Sequence, residues 1–384
     1  MLSDACFFAE KDTSMTSYYE RSIALNRCFT QGVDFHIGET NIDVCFFPFS
    51  SVTQSVASDS LPTDNSIKEN FSFEYPLFYP SGKAKQEKAI LLLHGLNERS
   101  WNKYLPWAEF LCSHTGKPVI LFPIAFHMNR SPLSWSNPRN LIHLLNFRRE
   151  RYKEDRSISF ANVALSDRIS QNPERFYLSG RQTWADLTAL FGEIKSGMHP
   201  LFKEGAQIDI FAYSIGAFLS QVALMANQKG LYGDTRLFMF CGGSIFRSMC
   251  GVSRSIMDRA AFDRLQEFYI HHFGCETVNR WSRDDAFNAF FRMIIPERKQ
   301  REREELFSHM GNRINGIALA NDLVIPYHGV EQAMGSEHTK NTIQLLDLPY
   351  PYTHENPFPF NLKDMTSVNA AFKTIFSRAV EFLT

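Results

Sequence analysis

Ile208-Asp209-Ile210-Phe211-Ala212-Tyr213-Ser214-Ile215-Gly216-Ala217-Phe218-Leu219 is the stretch on which the fold turns. Its first half sets apolar residues around Asp209 and Ala212, as a short buried strand would. It then enters a helix-compatible run, Ala217 to Gln228, without a conventional turn. Ser214 stands at the junction. A serine so placed, with small residues two before and two after it, predicts a sharp strand-to-helix turn. The serine backbone is strained there, its hydroxyl is exposed, and the N–H of the next residue is free to bind an oxyanion. The usual spelling of that turn is Gly-x-Ser-x-Gly, and this chain writes Ala212-Tyr213-Ser214-Ile215-Gly216. The alanine adds a single methyl group where the strand crowds the helix, the smallest departure a side chain can make.

Outward from this stretch, buried runs alternate with helical ones. Lys88 to Gly95 is a continuous apolar run, and Ser100 to Cys112 follows with helical spacing. Val119-Ile-Leu-Phe-Pro is the next run, and Arg181 to Ile194 reads as another helix. Arg236 to Cys241, Asn315 to Ala320 and Thr342 to Leu348 read as three more strands, before a closing helix near Ser367 to Leu383. Buried runs separated by helices imply a mostly parallel sheet covered on both faces. Phe71 to Pro80 alternates as an exposed antiparallel strand would, and residues 1–75 read as an N-terminal extension supplying edge strands. Residues 124–178 and 244–312 are long excursions that leave the carboxyl end of a strand, the edge where an open parallel sheet binds ligands, and both read as a lid.

Acyl transfer by serine needs a base for the hydroxyl proton, an acid to orient that base, and donors for the developing oxyanion. Asp322 follows one buried run, in Asn321-Asp322-Leu323-Val324-Ile325-Pro326, and His354 follows the next, in Pro351-Tyr352-Thr353-His354-Glu355-Asn356-Pro357. Taken singly, the aspartate reads as a turn or cap residue and the histidine as a surface one. Taken with Ser214, all three fall on one edge of the sheet in the order Ser, Asp, His. His94-Gly95-Leu96 after the first parallel strand lets a loop bend toward the serine, so the N–H groups of Leu96 and Ile215 are the expected oxyanion donors. His94 itself reads as a loop brace. His328 is the second-choice base. His127 and Arg130 leave a strand at the same edge, where they could bind a substrate carboxylate or phosphate or simply hold the loop.

With these elements assembled, the chain from Lys88 to Leu383, outside the two excursions, resembles the α/β-hydrolase superfamily of serine hydrolases. The resemblance implies a doubly wound, mostly parallel α/β sheet with helical lid insertions in a catalytic domain spanning residues 76–384. It also implies a Ser214–His354–Asp322 triad, no cofactor and no metal. It does not fix the substrate, because this fold hosts many activities; a small-molecule acyl compound, a carboxylic ester first, is the expected one. A peptidase or amidase of the same fold, and a binding protein that keeps the fold without turnover, are the alternatives.

Composition narrows the field further. At 384 residues with 44% hydrophobic and 21% charged residues, the chain has the make-up of an ordinary globular protein. A net charge of −1 offers no general attraction to nucleic acid or an anionic membrane. The mixed run from Arg148 to Arg156 reads as a solvated helix face. Seven cysteines without a C-x-x-C pair indicate neither a disulfide framework nor a zinc site. The acidic start, Met1 to Asp12, lacks the basic flank of a signal peptide, and no run approaches the roughly 18 apolar residues of a membrane span, so a cytoplasmic location is expected. Oligomeric state has no signature in the sequence.

Overall fold

The computed structural model describes residues 17–52, 62–82, 84–274, 285–360, 362 and 365–384. The acidic start at Met1 to Asp12, Cys6, Cys275 and most of the polar stretch from Ser50 to Ser66 lie outside the described residues. Among the described residues nine strands form one sheet: β1 (Phe35–Ile37), β2 (Ile42–Ser50), β3 (Ser72–Pro80), β4 (Gln86–Leu93), β5 (Val119–Leu121), β6 (Phe202–Tyr213), β7 (Leu237–Phe240), β8 (Ile314–Leu319) and β9 (Ile343–Leu346). Their spatial order is β1-β2-β3-β5-β4-β6-β7-β8-β9. The first three strands pair antiparallel with one another and with β5, and the remaining pairs from β5 to β9 are parallel.

Side-chain alternation explains why helices cover both faces. Leu91, Leu93, Ile208, Ile210 and Ala212 point into one core, which the helices Arg175–Lys195 and Ile215–Ala226 close. Ile90, Leu92, Phe211 and Tyr213 point into the other, closed by Tyr18–Cys28, Leu105–Thr115 and Met365–Leu383. Ala89 to Leu93 are fully buried, so β4 reads as an unbroken apolar run rather than an alternating one. This is a doubly wound, mostly parallel α/β sheet.

Asp209 is the buried charged residue of β6, and its burial is compensated. Lys117 Nζ lies 3.2 Å from Oδ2 and Arg236 Nη2 lies 2.7 Å from it, while Arg236 also donates to the carbonyls of Phe382 and Leu383. The buried carboxylate thereby holds two cations that hold the end of the last helix.

Three expectations are corrected here. The strand from Phe71 to Pro80 is not exposed: as β3 it sits inside the sheet between β2 and β5, with Phe73, Tyr75 and Leu77 in one core and Phe78 in the other. The helix expected from Arg181 begins at Arg175, so the excursion placed at 124–178 ends inside a helix. The run beginning at Arg148 is not wholly a solvated face. Arg148 is buried and forms a two-pronged pair with Asp258 at 2.7 and 2.7 Å, and Asp258 in turn caps the helix Arg259–Glu267. That pair fastens the first excursion to the second.

Candidate active site

β6 ends at Tyr213 and the helix Ile215–Ala226 starts two residues later, leaving Ser214 alone to make the turn. Its backbone has φ 55° and ψ −121°, a conformation that costs a residue with a β-carbon roughly 1–3 kcal/mol and persists because the surroundings fix it. Gly216 is required by contact. A β-carbon there would lie 2.8 Å from both the β-carbon and the carbonyl oxygen of Leu93 on the neighbouring β4. Gly242, after β7, is constrained likewise, since a β-carbon would come within 2.4 Å of the Ala217 methyl and 2.9 Å of the Ser214 carbonyl. Ala212 fits fully buried, so the methyl that departs from the usual pattern is accommodated.

The three expected side chains meet. Ser214 Oγ is 2.7 Å from His354 Nε2, and His354 Nδ1 is 2.7 Å from Asp322 Oδ2. The other carboxylate oxygen of Asp322 accepts from the backbone N–H groups of Val324 and Ile325 at 2.9 and 2.8 Å, so the aspartate is a turn residue and a histidine partner at once. Ser214 lies just past β6, Asp322 past β8 and His354 past β9, all at the carboxyl edge of parallel strands. The expected exposure of the serine is corrected: Ser214 is 5% exposed.

Leu96 follows β4, which pairs directly with β6 through Leu93 and Ala212. The N–H groups of Leu96 and Ile215, the expected oxyanion donors, donate to no protein acceptor among the described residues. His94 braces their loop. Its Nε2 accepts the N–H of Ile124 at 2.9 Å, which leaves the proton on Nδ1 to donate to the Gly95 carbonyl at 2.8 Å. Burial, with the neighbouring His127 adding to it, holds the His94 ring neutral by pushing its pKa well below the usual value.

Several supporting residues carry no sequence signature. The His354 ring stacks on Tyr213, with centroids 5.5 Å apart and planes 15° apart, and the Tyr213 hydroxyl donates to the His354 carbonyl. Lys103 pairs with Glu98, lies over the Tyr213 ring, and donates to the Glu355 carbonyl at 3.3 Å. Tyr104 accepts the Gly95 N–H at 2.9 Å and donates to Glu98 at 3.0 Å. Asn97, with φ 62°, donates to the carbonyls of Ala161 and Ser255. Tyr213 occupies a position the motif leaves free, and the other four act through partners distant in sequence or through loop geometry that no spacing announces.

The anion-binding reading of His127 and Arg130 is corrected. Arg130 is fully buried away from the cavity, with Asp186 at 2.8 Å and the carbonyls of Asn70 and Pro123 taking its remaining hydrogens. His127 does line the cavity bounded by Leu96 and Ile215. Its Nδ1 sits 2.9 Å from the Ala125 carbonyl, and burial pushes its pKa down to about 4, so at neutral pH the ring is uncharged. An uncharged ring whose proton is already given to a carbonyl has nothing with which to hold a carboxylate. His328, the second-choice base, is exposed on the helix Tyr327–Met334, and the hydroxyl of Ser214 is met by His354 instead.

Among the described residues no three His, Cys, Asp or Glu side chains group closely enough to hold a metal ion, and no helix is long and apolar enough to cross a membrane.

No curated protein matches the chain. Solved structures similar to it include a cold-adapted esterase from an Arctic intertidal metagenomic library, at 10% identity and a TM-score of 0.43, with 92% of this chain and 98% of that chain covered. A thermostable esterase from Pseudomonas putida is similar at 10% identity and a TM-score of 0.42, covering 98% and 93%. A puromycin-hydrolysing peptidase from Mycobacterium tuberculosis is similar at 12% identity and a TM-score of 0.40, covering 81% of this chain and 37% of that one. Residues 55–384 match the model of a family of unknown function, DUF6051, and the chain belongs to that family.

Proposed function

We propose that the chain is a serine hydrolase that cleaves a carboxylic ester through an acyl-enzyme. The observation that carries this reading is the hydrogen-bonded line from Ser214 Oγ through the His354 ring to Asp322, with 2.7 Å at each link. Ser214 Oγ attacks the ester carbonyl carbon while its proton passes to His354 Nε2. The carbonyl oxygen, now negative, is received by the N–H groups of Leu96 and Ile215, and Asp322 holds the imidazole in the tautomer that presents Nε2. The carbon–oxygen bond to the alcohol then breaks, and the alcohol leaves with the proton from Nε2. A water gives a proton to Nε2 and its oxygen to the acyl carbon, and Ser214 departs with that proton as the acid is released. The chemistry of this sequence asks for no metal or cofactor.

The two excursions act as a lid in this reading, since Trp135 and Ala164 of the first and Phe290 of the second line the cavity that Ile215 opens onto. The alternative of a binding protein without turnover is weakened by the hydroxyl-to-imidazole distance, which a chain released from catalysis has no reason to keep. The test is incubation of the full chain with an ethyl fluorophosphonate, followed by mass spectrometry. Ser214 is expected to carry the phosphonyl group, and p-nitrophenyl acetate to be hydrolysed by the wild type and not by Ser214→Ala. An unlabelled serine together with no turnover of any ester overturns the proposal.

A further inference from the structure

Four groups meet at the ammonium of Lys103. It pairs with the Glu98 carboxylate, donates to the Glu355 carbonyl at 3.3 Å, and lies 4.6 Å from the Tyr213 ring centre and 5.1 Å from that of Tyr104. A lysine on a surface turn ordinarily keeps its charged head in water. Here the side chain is 19% exposed and that of Glu98 is 24% exposed. The turn that carries Lys103 is itself fixed, since the Trp101 carbonyl accepts the N–H groups of Tyr104 and Leu105 at 2.7 and 3.1 Å.

The partners belong to the two loops that hold the reacting groups. Glu98 lies two residues after Leu96. Its carboxylate also accepts from the Tyr104 hydroxyl at 3.0 Å, and that hydroxyl accepts the Gly95 N–H at 2.9 Å. Glu355 directly follows His354 and is 252 positions from Lys103. The same loop is held by the Tyr213 hydroxyl, which donates to the His354 carbonyl, while the Tyr213 ring stacks on the imidazole. One side chain thus bonds to the loop of the candidate donor and to the loop of the base.

An ion pair largely shielded from water gives up hydration, and apolar side chains of similar volume commonly serve a fold as well. What they cannot supply is direction, here a donor for the Glu355 carbonyl and a charge that fixes the Glu98 carboxylate. Resting on the serine hydrolase reading, we propose that Lys103 is a positioning residue, which with Glu98 sets the spacing between the N–H of Leu96 and the imidazole of His354. The ester carbonyl oxygen must reach the first while the serine proton passes to the second, and a misplacement of about 1 Å can cost ~10²-fold in rate.

The experiment uses the full chain with p-nitrophenyl acetate as substrate. Lys103→Met keeps an unbranched stem over the rings and loses the charge. Its kcat is expected to fall about ten-fold, with KM within about two-fold of wild type and the urea midpoint little changed. Lys103→Arg, whose guanidinium can meet the same carboxylate and carbonyl, should recover kcat to within about three-fold of wild type. Glu98→Gln keeps an acceptor for the Tyr104 hydroxyl and should cost about as much as Lys103→Met. The double variant should cost no more than either, because each breaks the same link. Wild-type kcat in Lys103→Met, a loss that arginine does not restore, or multiplying losses in the double variant overturns the positioning role. In those cases wild-type turnover and labelling of Ser214 leave the hydrolase reading standing. A wild type that neither cleaves esters nor takes the label removes both.

Discussion

The side-chain amide of Asn97 donates to the carbonyl of Ser255, 158 positions away, at 2.7 Å, and its second hydrogen goes to the carbonyl of Ala161 at 2.8 Å. One residue next to the candidate oxyanion donor Leu96 thus bonds to both helical excursions. Arg99 adds a 2.6 Å bond to the same Ala161 carbonyl. The loop that carries the candidate donor is held to the two excursions by the same bonds.

Asn97→Ala should therefore loosen the donor and the excursions together. We expect kcat for p-nitrophenyl esters to fall about ten-fold, a fraction of the ~10²–10³ that loss of an oxyanion donor costs, because the donor is displaced rather than removed. Amide hydrogen exchange should quicken in the segments around Ala161 and Ser255 and stay unchanged in β6. Unchanged exchange in both segments rules out the coupling, whatever the kinetics show.

Ser214, His354 and Asp322 should behave as one unit. Ser214→Ala and His354→Ala are each expected to lower kcat by at least ~10⁴, and the double variant should be no worse than either single one, because each removes the same proton-transfer line. Asp322→Asn should cost about 10⁴ through the wrong imidazole tautomer. Multiplying effects in the double variant, measured by steady-state kinetics, would show that the serine and histidine act independently.

Substituting either of the two small residues flanking the serine should cost stability, for opposite reasons. Gly216→Ala places a methyl 2.8 Å from Leu93 atoms on β4, and we expect ~1–3 kcal/mol of lost stability in urea unfolding. Ala212→Gly restores the usual motif, yet removes a buried methyl from a strand. It should cost about 1 kcal/mol and leave the folded state intact. A Gly216→Ala variant as stable as wild type would mean that β4 yields freely.

Acid should destabilise the fold earlier than its carboxylates alone would dictate. Burial pushes the pKa of His127 and of His199 down to about 4, and His94 is also lowered. Below the ordinary histidine value of about 6.5 the unfolded chain binds protons that these folded rings refuse, so stability falls as pH drops from about 6.5 toward 4. A fully buried ring lowered to about 4, as His127 is, can contribute up to ~3 kcal/mol across that window, at ~1.4 kcal/mol per pKa unit. Urea unfolding at pH 7, 6 and 5 reads the slope. His199→Gln should flatten it, as His199 Nε2 meets the Tyr75 hydroxyl at 3.0 Å inside the core, and equal slopes for variant and wild type would refute the assignment.

The sequence by itself determined the parallel sheet, the strand-to-helix turn at Ser214 and the residues that would stand at its edge. Each of these is a local pattern: buried strands are unbroken apolar runs, and a residue directly after one lies at the strand's carboxyl end wherever the strand sits. Tertiary structure alone decided which distant groups meet there. β3 looked like an exposed strand because its alternation is local, while the β5 and β2 that enclose it come from elsewhere in the chain. Arg130 and Arg148 read as available charges because the carboxylates that bury them, Asp186 and Asp258, lie 56 and 110 positions away. Asn97, Lys103 and Tyr213 support the site through bonds to partners set by the packing of loops, and hydrogen bonds of that kind follow from distance in space, to which periodicity along the chain is blind.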